Sequence, residues 1–154
     1  QRLVDQFHQN SFQEIGMHTS KLRTYAIFKK KIGLETYLLK IRNPEKRAII
    51  TNFRLSSHDL MIETRRHKNI SKELRYCPFC LHTPETESHF LLSCPTYKNL
   101  RNRSLKSVMN NLRFYTTEQK LEFLSTNIEM NTIEYIVDAF QLRTYLLLKH
   151  KRYW

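Results

Sequence analysis

The stretch CPFCLHTPETESHFLLSC, Cys77–Cys94, holds every cysteine of the 154-residue chain, and no other feature constrains the fold as much. The spacing is C-x2-C-x8-H-x4-C over Cys77, Cys80, His89 and Cys94. Two cysteines separated by two residues turn around a single ion, and a second pair further along completes the tetrahedron of a structural zinc site. Pro78 stiffens the first turn. Three thiolates and an imidazole suit Zn²⁺ better than Ca²⁺ or Mg²⁺. Four protein ligands leave no position for water, so the spacing predicts one structural Zn²⁺ and no catalytic metal. Disulfides explain the cluster poorly, because three cysteines cannot pair completely and the default compartment of a chain without a secretory signal is reducing. The alternatives are an iron–sulfur or redox centre, or buried thiols beside an unrelated histidine. His82 is a rival ligand, but it lies too close to Cys80 to chelate comfortably.

The rest of the chain reads as helix. Two glycines and four prolines are too few for a sandwich or barrel that turns every ten residues or so. Leu3, Phe7 and Phe12 form a weak stripe ending near Gly16, and Leu22, Tyr25, Phe28 and Ile32 form a second between Ser20 and Gly33. A short helix is predicted over LETYLLKIR. Asn43-Pro44-Glu45 reads as N-cap, N1 and N2 of a helix through KRAIITNFRLSS. HDLMIETRRHK is predicted as one more helix or its bent continuation. Within the cluster, Thr83-Pro84-Glu85 reads as the start of a short helix carrying His89, with Cys94 past its end. Beyond the cluster, PTYKNLRNRSLKSVMNNL starts at Pro95 and keeps Tyr97, Leu100, Leu105, Val108 and Leu112 for packing. TTEQKLEFL is capped by Thr116 or Thr117. In NTIEYIVDAFQLRTYLLLKHKRYW, residues Ile133, Ile136, Val137, Phe140, Leu147 and Leu148 make a core stripe that Thr144 interrupts. The expected architecture is all-α: a basic helical region over 1–76, the CCHC zinc knuckle over 77–94, and C-terminal helices over 95–154 packing back into one unit.

The formal net charge is +12, and residues 1–76 carry 16 basic against 7 acidic side chains. Such a chain attracts polyanions, of which nucleic acid is the commonest in cells. A zinc with three thiolates is locally anionic, so phosphate attraction must come from the flanks. Those flanking cations are Arg65, Arg66, Lys68, Lys72 and Arg75 before the cluster, and Lys98, Arg101, Arg103 and Lys106 after it. Helical spacing puts Lys98 and Arg101 on one face. Tyr76 and Tyr97 flank the cluster and offer stacking surfaces or core packing, and Phe79 either stacks on a base or covers the metal. Arg54, His58 and Glu63 read as a polar network fixing the helix beside the cluster, in preference to general acid–base chemistry at His58, Asp59 and Glu63. No apolar stretch approaches the length of a bilayer span, and no secretory signal opens the sequence. The start without Met and the end at HKRYW read as a piece of something longer.

The stretch RYCPFCLHTPETESHFLLSCPTYKNLR resembles the C-terminal cysteine–histidine zinc knuckle of reverse transcriptases from non-LTR retrotransposons, the long interspersed element class. That family's knuckle commonly reads as a CPFC or CPLC pair, an acidic ET-E segment, HFLL, then CP-Y and LR. Here those positions are Cys77–Cys80, Glu85–Glu87, His89–Leu92, Cys94–Tyr97 and Leu100–Arg101. Upstream, a pattern FR-S-H-L-IE-R falls on Phe53, Arg54, Ser56, His58, Leu60, Ile62, Glu63 and Arg65. The likeness covers roughly residues 20–110. It implies the tail of a retroelement polyprotein, downstream of a polymerase, that binds template RNA or target DNA during target-primed reverse transcription. The implied setting is intracellular, a nuclear or cytoplasmic ribonucleoprotein, with nucleic acid and the upstream polymerase domain as partners and neither membrane nor small-molecule substrate. The stretch has no aromatic-x-Asp-Asp polymerase motif and no endonuclease Pro-Asp pattern, so the piece is expected to be non-catalytic. Retroviral nucleocapsid knuckles place four residues between the second Cys and the His, whereas eight intervene here, so their base-stacking roles do not transfer. The competing expectation is a zinc-stabilised protein-interaction module that docks on a polymerase or another acidic partner.

Overall fold

The computed structural model describes residues 33–126 and 128–151, with Gln6, Tyr25 and Lys29 besides. The two opening helices expected around Leu3–Gly16 and Ser20–Gly33 lie outside the described residues, apart from those isolated positions and Gly33. Among the described residues the secondary structure is helical, with one isolated antiparallel bridge between Tyr76 and Pro84. The chain is all-α.

Helix α1 spans Thr36–Lys40 and α2 spans Pro44–Arg54. The start of α2 follows from local chemistry: the Asn43 side chain accepts from Lys46 N at 3.0 Å, and Pro44 occupies N1, where its missing N–H costs nothing. The helix stops at Arg54, short of the expected Ser57, where Ser56 adopts a left-handed φ of 51°. The helix expected over 58–68 is shorter still. Only Met61–Thr64, α3, and a 3₁₀ turn at Arg66–Lys68 form before Asn69 reverses the chain at φ 54°. The reason is tertiary. The first amides of α3 are taken by the metal-ligand segment, with Met61 N donating to Glu85 Oε2 at 2.7 Å and Ile62 N to the Glu85 carbonyl at 3.3 Å.

After a 3₁₀ turn at Pro95–Tyr97 come α4, Lys98–Asn111, and α5, Thr117–Thr126. A reciprocal capping box starts α5: Gln119 N donates to Thr116 Oγ1, and Thr116 N donates to Gln119 Oε1. The last helix, α6, spans Met130–Lys151 and packs against both α2 and α4. Its buried face holds Ile133, Ile136 and Val137 as expected, but it then follows Tyr135, Ala139 and Arg143. Leu148, expected in the core, is 59% exposed. The core takes in the cysteine segment itself: Cys77, Phe90, Leu91, Cys94 and Tyr97 are buried with Phe53, Ile62, Leu105 and Ile136. Phe90 sits 4.7 Å from Phe140 and 4.8 Å from Tyr97 between ring centroids, joining the segment to α6 and to the turn that leads into α4. No described helix is long and apolar enough to cross a membrane.

Candidate metal centre

Cys77 and Cys80 lie on a turn held by Leu81 N donating to the Cys77 carbonyl at 3.0 Å, with Leu81 left-handed at φ 61°. The backbone N–H groups of Phe79 and Cys80 point at the Cys77 sulfur. The helix expected from Pro84 is absent. Pro84 bridges to Tyr76, and the helical turn begins later, where Thr86 Oγ1 caps His89 N at 3.1 Å. His89–Ser93 then forms a widened π-helical turn, closed by Cys94 N donating to the His89 carbonyl at 2.7 Å.

That turn solves a geometric problem. Five residues along an α-helix rotate about 500°, leaving the two side chains about 140° apart. The π turn takes up more residues per revolution and brings Cys94, just beyond it, round to His89. Widening frees carbonyls that must be satisfied elsewhere. The buried Tyr135 hydroxyl donates to the carbonyls of Phe90 at 3.2 Å and Leu91 at 3.0 Å. Burial pushes that phenol up to about 12, so it stays a donor. Arg101 donates to the carbonyls of Leu91 at 3.0 Å and Cys94 at 2.7 Å.

The ligand atoms of Cys77, Cys80, His89 and Cys94 all lie within 4.8 Å of one another. Cys77 Sγ is 3.9 Å from Cys94 Sγ, and Cys80 Sγ is 3.3 Å from His89 Nε2. Metal bonds of about 2.3 Å to sulfur and 2.0–2.1 Å to nitrogen put tetrahedral neighbours about 3.8 Å apart for two sulfurs and about 3.5 Å for sulfur and nitrogen. The four groups therefore fit one ion. His89 offers Nε2 inward because Nδ1 faces Ser93 Oγ at 3.3 Å, the outer contact that fixes a ligating imidazole. The Cys77 and Cys94 sulfurs face each other closely enough for their ionisation to be linked. The contact with Cys77 pulls Cys94 down to about 4, helped by His89 and Thr96, while the same contact and burial push Cys77 up. A cation bound by both would leave thiolates throughout. His82 is exposed and outside the group. The cysteines form no disulfide.

Two carboxylates that sequence reasoning left without a role strap this segment to the helices. Glu85, fully buried, pairs with Arg143 of α6 through two bonds of 2.9 Å, and Glu87 meets His58 Nε2 at 3.0 Å. Burial lowers the Arg143 guanidinium, but Glu85 outweighs it and the net shift is upward. The only sequence signal for Arg143 is a charged residue one position before Thr144, where the expected stripe broke. Of the expected network, Arg54 is buried against the Tyr37 ring at 5.0 Å, donates to the Ser125 carbonyl and pairs with Glu35 at 2.6 Å. Glu63 is buried beside Arg66 Nε at 3.2 Å.

The expected phosphate contacts divide. Lys68, Lys72, Lys98 and Lys106 are exposed with no ion pair among the described residues. Arg103 is exposed, with Asp138 at 3.4 Å. Arg65 donates to the Leu74 carbonyl at 3.2 Å. Arg75 and Arg101 are corrections. Arg75 bonds the carbonyls of Ile62 at 2.7 Å and Ile70 at 2.9 Å, and Arg101 is buried under the π turn rather than sharing an outer face with Lys98. Both guanidiniums bond backbone carbonyls, Arg101 in the core and Arg75 half-buried. Tyr97 is fully buried and cannot stack on a base, Phe79 packs edge-on against it at 6.3 Å, and Tyr76 is 37% exposed. No family model, curated protein or solved structure matches the chain.

Proposed function

We propose that the chain is a zinc-stabilised nucleic-acid-binding module, the C-terminal region of a non-LTR-type reverse transcriptase, with no chemistry of its own. Zinc follows from the donor set, since three thiolates and an imidazole at tetrahedral spacing match its preferences, and four ligands close the site. The motif resemblance supplies the family and an intracellular ribonucleoprotein setting. The observation that carries nucleic-acid binding is the group of exposed lysines on both sides of the metal segment, Lys68 and Lys72 before it and Lys98 and Lys106 after it. Phosphate binding by such lysines is largely sequence-independent and salt-steep.

The test is anisotropy titration of single-stranded RNA and DNA against salt. Neutralisation of phosphates by these lysines gives a slope of log Kobs on log salt of about −3 for a single strand. Lys98→Gln with Lys106→Gln should flatten that slope by about 1.4. Binding that ignores both salt and these substitutions would sink the reading. It would favour the alternative, a module docking on the polymerase domain, for which the exposed Phe114 and Leu39 would be contact points.

A further inference from the structure

Helix α2, the loop after it and α6 line an open cavity of about 520 Å³ that includes none of the four candidate metal ligands. Its walls are mostly apolar, from Ile49, Phe140 and Leu148, with the Tyr145 ring 60% exposed at its edge. Polar groups converge on it from both helices: the Asn52 amide from α2 and the Gln141 amide from α6, neither with a side-chain hydrogen bond among the described residues. His58 also lines it. Its side chain is buried with Nε2 turned to Glu87, and Nδ1 is buried with no hydrogen-bond partner among the described residues. An apolar cavity with a few convergent polar groups, here two exposed side-chain amides, has the composition of a ligand site.

We propose that this cavity receives one unpaired nucleobase of a bound single strand. The base stacks on Tyr145, and the Asn52 and Gln141 amides read its hydrogen-bonding edge. Flat, amphipathic bases fit a slot with an aromatic edge, and side-chain amides present the paired donor and acceptor that a base edge requires. Asp59, exposed at the same cavity, accepts from exocyclic amino groups and disfavours a ligand that enters phosphate first. The phosphates instead meet Lys46, one turn before Ile49 on α2, and Lys149, one turn beyond Tyr145 on α6, both exposed. None of the lysines around the metal segment lines this cavity, so a strand engaging both is held at two places. This inference rests on the nucleic-acid reading above and adds to it a contact that phosphate attraction does not supply.

The experiment compares two single-stranded decamers on the metal-loaded full chain: oligodeoxyadenylate, and an abasic strand with the same phosphates. The adenine strand is expected to bind about ten-fold more tightly, the size of one stacked base. Tyr145→Ala, at an exposed position that leaves the fold intact, should erase that difference, and Tyr145→Phe should keep it. Gln141→Leu should reduce it. A 2-aminopurine placed in the strand should lose fluorescence on binding to the wild type and keep it with Tyr145→Ala. Equal binding of the two decamers would overturn the base site while leaving phosphate binding intact. A difference that survives Tyr145→Ala would overturn it too, by putting the base elsewhere. Binding of neither decamer would overturn this inference and the nucleic-acid reading together.

Discussion

Replacing Arg143 by methionine removes the cation that pairs with Glu85 among the described residues and keeps a side chain of similar length. Glu85 is fully buried and Arg143 is 4% exposed, so solvent does not screen the pair as it would at the surface. The carboxylate would keep its bond from Met61 N at 2.7 Å but lose both guanidinium bonds of 2.9 Å. Stranding one partner of a buried ion pair costs about 3–5 kcal/mol. A domain this size has about 5–15 kcal/mol of stability, so the loss is a large fraction of it. With a urea m-value of about 2 kcal/mol/M, the unfolding midpoint of the metal-loaded protein should fall by about 2 M. Combining Arg143→Met with Glu85→Gln removes both charges and leaves an amide oxygen to accept from Met61 N. The double variant should therefore be more stable than Arg143→Met alone, a favourable coupling that a double-mutant cycle reads directly. A midpoint shift under about 0.5 M for Arg143→Met, or simple additivity in the cycle, would refute the role of this pair as the strap of the metal segment.

Arg101→Met should cost about 2–4 kcal/mol, since its bonds to the Leu91 and Cys94 carbonyls are charge-assisted. It should leave the salt slope of nucleic-acid binding unchanged; a slope loss equal to that of Lys98→Gln would return Arg101 to the binding surface. Leu81→Gly relieves a left-handed backbone at an exposed site, and after the entropy cost of glycine it should stabilise the protein by about 0.5–1 kcal/mol in chemical denaturation. Thr116→Ala breaks the capping box of α5 and should cost about 1 kcal/mol, with hydrogen exchange accelerated first in Thr117–Gln119.

What could be read in advance was local. The Asn43-Pro44 cap, the threonine cap of α5, which falls on Thr116, and the ligand spacing each involve residues close in sequence whose chemistry acts on the adjacent backbone, and each is in place. The four residues of the candidate metal centre were legible as types and spacing, but the means of bringing His89 and Cys94 together was not. A π turn is disfavoured by local propensity and persists here because Tyr135 and Arg101, 44 and 10 residues from Leu91, satisfy the carbonyls it frees. The same reason made α3 short, since its opening amides go to Glu85, more than twenty residues downstream. Glu85–Arg143 spans 58 residues, and nothing in either neighbourhood signals the other. Arginines are ambiguous in a basic sequence. Arg75 and Arg101 read like solvated charges because periodicity does not reveal that a backbone carbonyl awaits them.

Metal content per folded chain tests the central claim most directly, measured by native mass spectrometry on freshly purified, reduced protein. One zinc ion per chain is predicted, released together with protons on acidification because thiolates and a neutral imidazole hold it. Cys94→Ser is predicted to bind none stoichiometrically and to lose much of the helical signal, since the centre is part of the core. A wild-type chain that is folded, reduced and free of metal, and that stays so after zinc is added, would contradict the account.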